Sequence, residues 1–247
     1  MENVYKFFLV ACICFITEGG ISQNRFKAGA MVGINMSQID GDKDEGYRQP
    51  GLLLGLNGGF FINPNFDIST QLLYNEKGAK PNPDAAPKPD FNYGNFSFKY
   101  SEIALLANFH YDANNAKNYY RQSIHVGFSY GRLFKSITVI TRNNTPNLEF
   151  QDDLVSKYNP NDVSFILGWS YSFSPRWGLA LRHTVSLNLM YDNPTYASIY
   201  RNEAFEHLRP YFLSCYVFYN FISPRNPLAN RNKKKKKKVS DDPLEEL

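Results

Sequence analysis

Residues 163–174 read Val163-Ser164-Phe165-Ile166-Leu167-Gly168-Trp169-Ser170-Tyr171-Ser172-Phe173-Ser174, and this stretch decides the architecture. Every odd position is apolar: Val163, Phe165, Leu167, Trp169, Tyr171 and Phe173. The even positions are mostly small and polar, with four serines and Gly168 beside the lone Ile166. A period of two is the signature of a strand, because successive side chains point to opposite faces. The same two-sided pattern recurs in Trp177–Leu189, Ser123–Gly131 and Ala28–Ser37. In each, bulky apolar residues make one face and Gly, Ser, Asn or Thr dominate the other.

Working outward, eight strands are expected, near 27–38, 51–62, 66–77, 97–111, 121–134, 162–174, 177–189 and 209–221. The second, third and fourth alternate less cleanly. Short connections (Asn63-Pro64-Asn65, Pro175-Arg176 and the medium segment Asp112–Tyr120) alternate with long ones at 39–50, 78–96, 135–161 and 190–208. An up-and-down antiparallel barrel in an outer membrane has this rhythm, with short periplasmic turns and longer external loops. An even strand number puts both termini on the periplasmic side. A soluble lipocalin-like barrel also alternates, but its second face meets water and should carry Lys, Glu and Asp. Serines and glycines suit the crowded inside of a narrow barrel, while Phe, Leu, Trp and Val suit lipid.

Composition agrees. Phe and Tyr are abundant, with 20 and 17 copies, which favours strands and membrane interfaces over helical bundles. Mean hydropathy is −0.42, as expected when only alternate strand residues face lipid. Lys6 followed by the apolar run Phe7–Ile16 and then Gly20-Ile21-Ser22 reads as a secretory leader cleaved near Ser22. Leu9-Val10-Ala11-Cys12 also matches a lipoprotein cleavage box, but the apolar run before Cys12 is too short to favour it. The chain thus divides into a leader at 1–22, a barrel at 23–222 and a tail at 223–247. Cys215 alone remains after the leader, so no internal disulfide staples the fold. The tail holds Lys233, Lys234, Lys235, Lys236, Lys237 and Lys238, and with eight basic and four acidic groups its net charge is +4. It is expected to be disordered and periplasmic. Net charge over the whole chain is also +4, so the basic balance sits in the tail and gives the barrel no nucleic-acid-binding surface.

Several short motifs carry a family resemblance. They are Gly33-Ile34-Asn35 followed by Ser37-Gln38-Ile39-Asp40-Gly41-Asp42, Pro50-Gly51-Leu52 with Gly55, and Leu73-Tyr74-Asn75-Glu76-Lys77-Gly78. Tyr100-Ser101-Glu102-Ile103-Ala104-Leu105-Leu106 follows, with Ser101 and Ala104 where leucine and proline are usual. In order and spacing the chain resembles the PorT-type outer-membrane β-barrel family of Bacteroidetes, over about 27–221 and most strongly over 27–111. The resemblance implies a barrel of about eight strands and no single activity, although the namesake takes part in protein secretion.

Candidate functional residues are few. By parity Glu102 and Arg182 face the interior, where an unpaired charge is costly, so both should join a hydrogen-bonded plug with Asn35, Gln71, Asn108 and His125. His183 and Ser186 have opposite parity and cannot form a dyad within their strand. His110, His125 and His207 lack metal-ligand spacing. Asp40, Asp42, Asp44 and Glu45 depart from a calcium-loop pattern and read as a solvated acidic loop between Gly41 and Gly46. No catalytic set, cofactor site or metal site is expected. The reading is a non-enzymatic envelope component that meets outer-membrane lipid and acts through its loops and its tail, by envelope protein partners, in secretion or assembly. A small transport or adhesion barrel, or a lipid-modifying barrel enzyme, are the other classes. Cell fractionation should place the chain in the outer membrane, and an unheated sample should migrate differently from a boiled one on a denaturing gel. Recovery in the soluble fraction with heat-independent mobility would contradict the barrel.

Overall fold

The computed structural model describes residues 25–42, 46–82, 92–114, 116, 118–142, 145–192 and 207–222. The leader and the lysine-rich tail lie outside the described residues. Eight long strands form the wall: β1 (Phe26–Asp40), β2 (Gln49–Asn63), β3 (Phe66–Ala79), β4 (Asn92–Asn114), β5 (Tyr119–Arg142), β7 (Asn161–Ser172), β8 (Trp177–Ser186) and β10 (His207–Ile222). Among the described residues, two two-residue strands, β6 (Thr145–Pro146) and β9 (Tyr191–Asp192), and one helix, α1 (Leu148–Ser156), decorate the loops. Each long strand is antiparallel to its neighbours in the order β1-β2-β3-β4-β5-β7-β8-β10, and β10 returns to β1 from Ala28↔Ile222 to Asp40↔Arg209. That pairing closes the cylinder and leaves no free sheet edge along β1 or β10.

The eight strands fall where the alternation put them, and the main difference is length. β4 begins at Asn92 and β5 runs to Arg142, so the hairpin enters segments expected to be loops. Pairing of β5 with β7 ends at Arg132, and β5 continues beyond it beside β4, with the short β6 pairing only at Thr141 and Arg142. The cause is a change of pattern. Phe96, Phe98 and Ile140 turn inward there and are fully buried, whereas Ile137 and Val139 on the outer side are exposed.

The faces are sorted as a bilayer demands. Val32, Ile34, Leu56, Leu72, Ile103, Leu105, Phe128, Leu167 and Leu181 are exposed on the outside. Asn35, Ser37, Ser69, Gln71, Ser129, Ser164, Thr184 and Ser214 are buried inside. β7 and β8 have 12 and 10 residues, enough to cross a hydrocarbon layer when tilted. Short turns gather at one end. At Asn63-Pro64-Asn65 the Asn65 amide donates to Asn63 Oδ1 at 2.9 Å, and at Ser174 the hydroxyl oxygen accepts from the Trp177 amide at 2.9 Å. The described chain ends, Arg25 and Ile222, lie at this turn end. The opposite loop end carries α1, whose Leu154 is fully buried.

Gly41 and Gly46 adopt φ of +96° and +111°, a left-handed backbone that suits glycine at the first loop. Asp42 between them is buried, so the acidic loop is not solvated throughout. Asp44 and Glu45 lie outside the described residues. An arginine at outward Leu167, midway along β7, should weaken folding into lipid vesicles by about 2–4 kcal/mol. Equilibrium unfolding in vesicles measures this, and an unchanged midpoint would contradict a lipid-facing position.

Candidate functional site

The inner face of β3 reads Asp67, Ser69, Gln71, Leu73, Asn75, Lys77, so one strand carries polar groups down most of the lumen. β4 answers with Asn108, Ala104 and Glu102 opposite Asp67, Gln71 and Leu73. Register therefore decides which charges meet, and three separate clusters result.

The first lies toward the loop end. Lys77 Nζ sits 2.5 Å from Glu102 Oε1 and 2.7 Å from Asp162 Oδ2, with both Lys77 and Glu102 buried. The ammonium also stands over the rings of Tyr100 and Phe212, at 4.5 and 4.8 Å. Asn75 Nδ2 donates to Glu102 Oε2 at 2.7 Å, Asn35 Nδ2 to Asn75 Oδ1 at 3.2 Å, and Ser214 Oγ to Asn35 Oδ1 at 2.7 Å. Ser164 Oγ completes the series by donating to Asp162 Oδ2 at 2.9 Å. The chain of contacts runs from β10 through β1, β3 and β4 to β7, and so crosses the lumen. Above it Ile39, Phe96, Phe98, Ile140, Leu154 and Leu208 pack in a buried apolar layer.

The second cluster is at mid-barrel. Arg182 Nη2 donates to Gln71 Oε1 at 2.7 Å and to the Tyr216 hydroxyl at 2.8 Å. Its guanidinium carbon lies 5.0 Å from the Tyr216 ring centre. Met31, Leu53, Leu73, Leu106 and Ile166 fill the space around this level.

The third is at the turn end. Asp67 Oδ2 accepts from Lys27 Nζ at 2.6 Å and lies 2.5 Å from His110 Nε2, while Asp67 Oδ1 accepts from Asn108 Nδ2 at 2.7 Å. His110 Nδ1 lies 2.6 Å from Ser123 Oγ. His110 and Ser123 are direct partners across β4 and β5. Phe61 and Tyr120 stack on the imidazole at 5.2 and 5.9 Å. Lys27 starts on β1 and reaches Asp67 on β3 by passing over Gly59 of β2. A Cβ at residue 59 would meet Lys27 Cε at 2.6 Å, so glycine makes the crossing possible. A cavity of about 120 Å³ lies here, lined among others by Lys27, His110, Ser123 and His125.

All six residues proposed for the plug, Asn35, Gln71, Glu102, Asn108, His125 and Arg182, are buried. They do not form one network. Glu102 joins Asn35 through Asn75, Arg182 joins Gln71, and Asn108 joins Asp67. His125 Nε2 has no hydrogen-bond partner among the described residues and lies against Gly168, where a Cβ would stand 2.1 Å from it. Lys77, Asp162 and Asn75 were missed, as was the Asp67–His110–Ser123 series. The polar row on β3 was the available signal for Lys77 and Asp67. The rest needed the register between strands. His183 faces outward and bonds the Tyr47 hydroxyl at 3.1 Å, and Ser186 is buried on the other face. Among the described residues no group of three side chains is placed to hold a metal ion.

Solved structures similar to this chain include the attachment invasion locus protein Ail of Yersinia pestis, at 11% identity and a TM-score of 0.41, covering 80% of this chain and 99% of that one. Neisserial surface protein A is similar at 13% identity and a TM-score of 0.38, covering 79% and 97%. OprG from Pseudomonas aeruginosa is similar at 10% identity and a TM-score of 0.38, covering 80% and 95%. No curated protein matches the sequence. Residues 18–192 match the family described as the outer membrane protein beta-barrel domain, and the chain belongs to that family.

Proposed function

We propose that this outer-membrane barrel is a closed, non-conducting component of the envelope that works as a scaffold and interaction partner. The observation that carries this reading is the filled lumen. A through-pore needs a continuous wet path, but here the Ser214-to-Ser164 chain of hydrogen bonds and ion pairs crosses the bore and an apolar layer packs above it. Lys77 pairs with both Glu102 and Asp162, so the three charges at this level are engaged with one another and form no open ring facing an ion. The loop end supplies surface for contact: Ile137 and Val139 on the extended hairpin and Leu148 and Val155 on α1 are exposed. In this reading the loops face outward, the turn end faces the periplasm, and the lysine tail meets anionic surfaces there. The ordered motifs between Gly33 and Leu106 support a PorT-type member from Bacteroidetes.

Planar-bilayer recording of the purified chain tests the proposal. No stable conductance steps are expected, and a large, reproducible open level would overturn it. Lys77→Met should leave Glu102 and Asp162 buried without their cation and destabilise the barrel by about 3–5 kcal/mol. Urea unfolding of the refolded variant in detergent measures that loss.

A further inference from the structure

We infer that the turn-end cavity is a hydrolytic site for small carboxylic esters, with Ser123 as nucleophile, His110 as base and Asp67 as the residue that positions the base. This goes beyond the scaffold reading and does not depend on it.

An ionised Asp67 can only accept, so a neutral His110 must donate from Nε2 to Oδ2 across the 2.5 Å contact. Its Nδ1 is then a bare acceptor, and the Ser123 hydroxyl, 2.6 Å away, must donate to it. A nucleophile hydrogen-bonded to a base that a third group orients is the arrangement acyl transfer requires. Asp67 is itself fixed from two further sides, by Lys27 at Oδ2 and Asn108 at Oδ1. The imidazole is held by the stacked rings of Phe61 and Tyr120. Placement fits as well. Ser123 and His110 line the cavity, whereas Asp67 is fully buried behind them. Lys27 also lines it, with its ammonium held on Asp67 Oδ2.

In the reaction Ser123 Oγ bonds to the carbonyl carbon of the ester while its proton passes to His110 Nδ1. The carbon–oxygen bond to the alcohol breaks, and the alcohol departs with that proton. Ser123 then carries the acyl group. Water attacks the acyl carbon and gives a proton to His110 Nδ1. The acid leaves as Ser123 Oγ takes the proton back. About 120 Å³ of space fits a short acyl chain better than a long one.

The test uses the full chain extracted from membranes and, in parallel, refolded from denaturant. Hydrolysis of p-nitrophenyl acetate, butyrate and palmitate is followed, and a fluorophosphonate probe is mapped by mass spectrometry. Acetate and butyrate should be turned over and palmitate should not. The probe should label Ser123. Ser123→Ala should keep heat-modifiable mobility and lose about 100-fold or more of the rate together with the label. Asp67→Asn should lower kcat at unchanged KM, and Asp67→Glu should restore part of it. Labelling elsewhere or not at all, or Ser123→Ala hydrolysing like the parent, would overturn the site. Equal losses in Asp67→Asn and Asp67→Glu, accompanied by loss of the folded band, would overturn the positioning role of Asp67.

Discussion

Backbone pairing between β1 and β10 is the constraint on which the molecule depends. Inside hydrocarbon an unpaired amide or carbonyl has no solvent to turn to, so a sheet must close on itself. With eight long strands the closed cylinder is narrow, and its inside must be filled by side chains. The outer rows of Phe, Leu, Ile and Val and the inner rows of Ser, Asn, Gly and Thr follow from this geometry. So does the neutral balance of the lumen. Lys27, Lys77 and Arg182 are set against Asp67, Glu102 and Asp162, because an excess of either sign in a low-dielectric bore would be expensive.

The lumen is not uniform along its axis. At the loop end the aromatic rings of Phe96, Phe98 and Tyr100 replace the serines and make a dry closure with Leu154 of α1. At the turn end the filling is polar and incomplete, and the cavity forms there. Three carboxylates are handled in two ways. Glu102 and Asp162 share one ammonium, whereas Asp67 holds both a lysine and a histidine. That last arrangement leaves the far nitrogen of His110 directed at Ser123 and gives the turn end a chemical character that the rest of the bore lacks.

Much of the fold was legible because period-two alternation survives wherever one face meets lipid and the other meets small polar groups. Val163–Ser174 and Trp177–Ser186 are the clearest cases, and both are strands with the expected side outward. Legibility failed where the sorting inverts. In the Phe96–Tyr100 stretch of β4 the rings of Phe96, Phe98 and Tyr100 pack inward against the closure while Ser97 and Lys99 take the other face, which is opposite to the lipid-facing pattern and hid the true length of the β4–β5 hairpin. The site was less legible than the fold for a different reason. Parity tells which residues point inward, and it placed Glu102 and Arg182 correctly on that face. It does not tell how far one strand slides against the next. Asp67, His110 and Ser123 come from three strands and meet only through the pairings Asp67↔Asn108 and His110↔Ser123. A search confined to neighbours in sequence, such as His183 and Ser186, could not find them.

The dry closure at one end has a thermodynamic corollary. A bore sealed on one side and open on the other behaves as a cup. If the barrel is closed as proposed, its contents equilibrate with a single compartment and do not follow a concentration gradient across the bilayer. Any small molecule that enters past Lys27 must return by the same mouth, so occupancy follows the chemical potential of that one space alone.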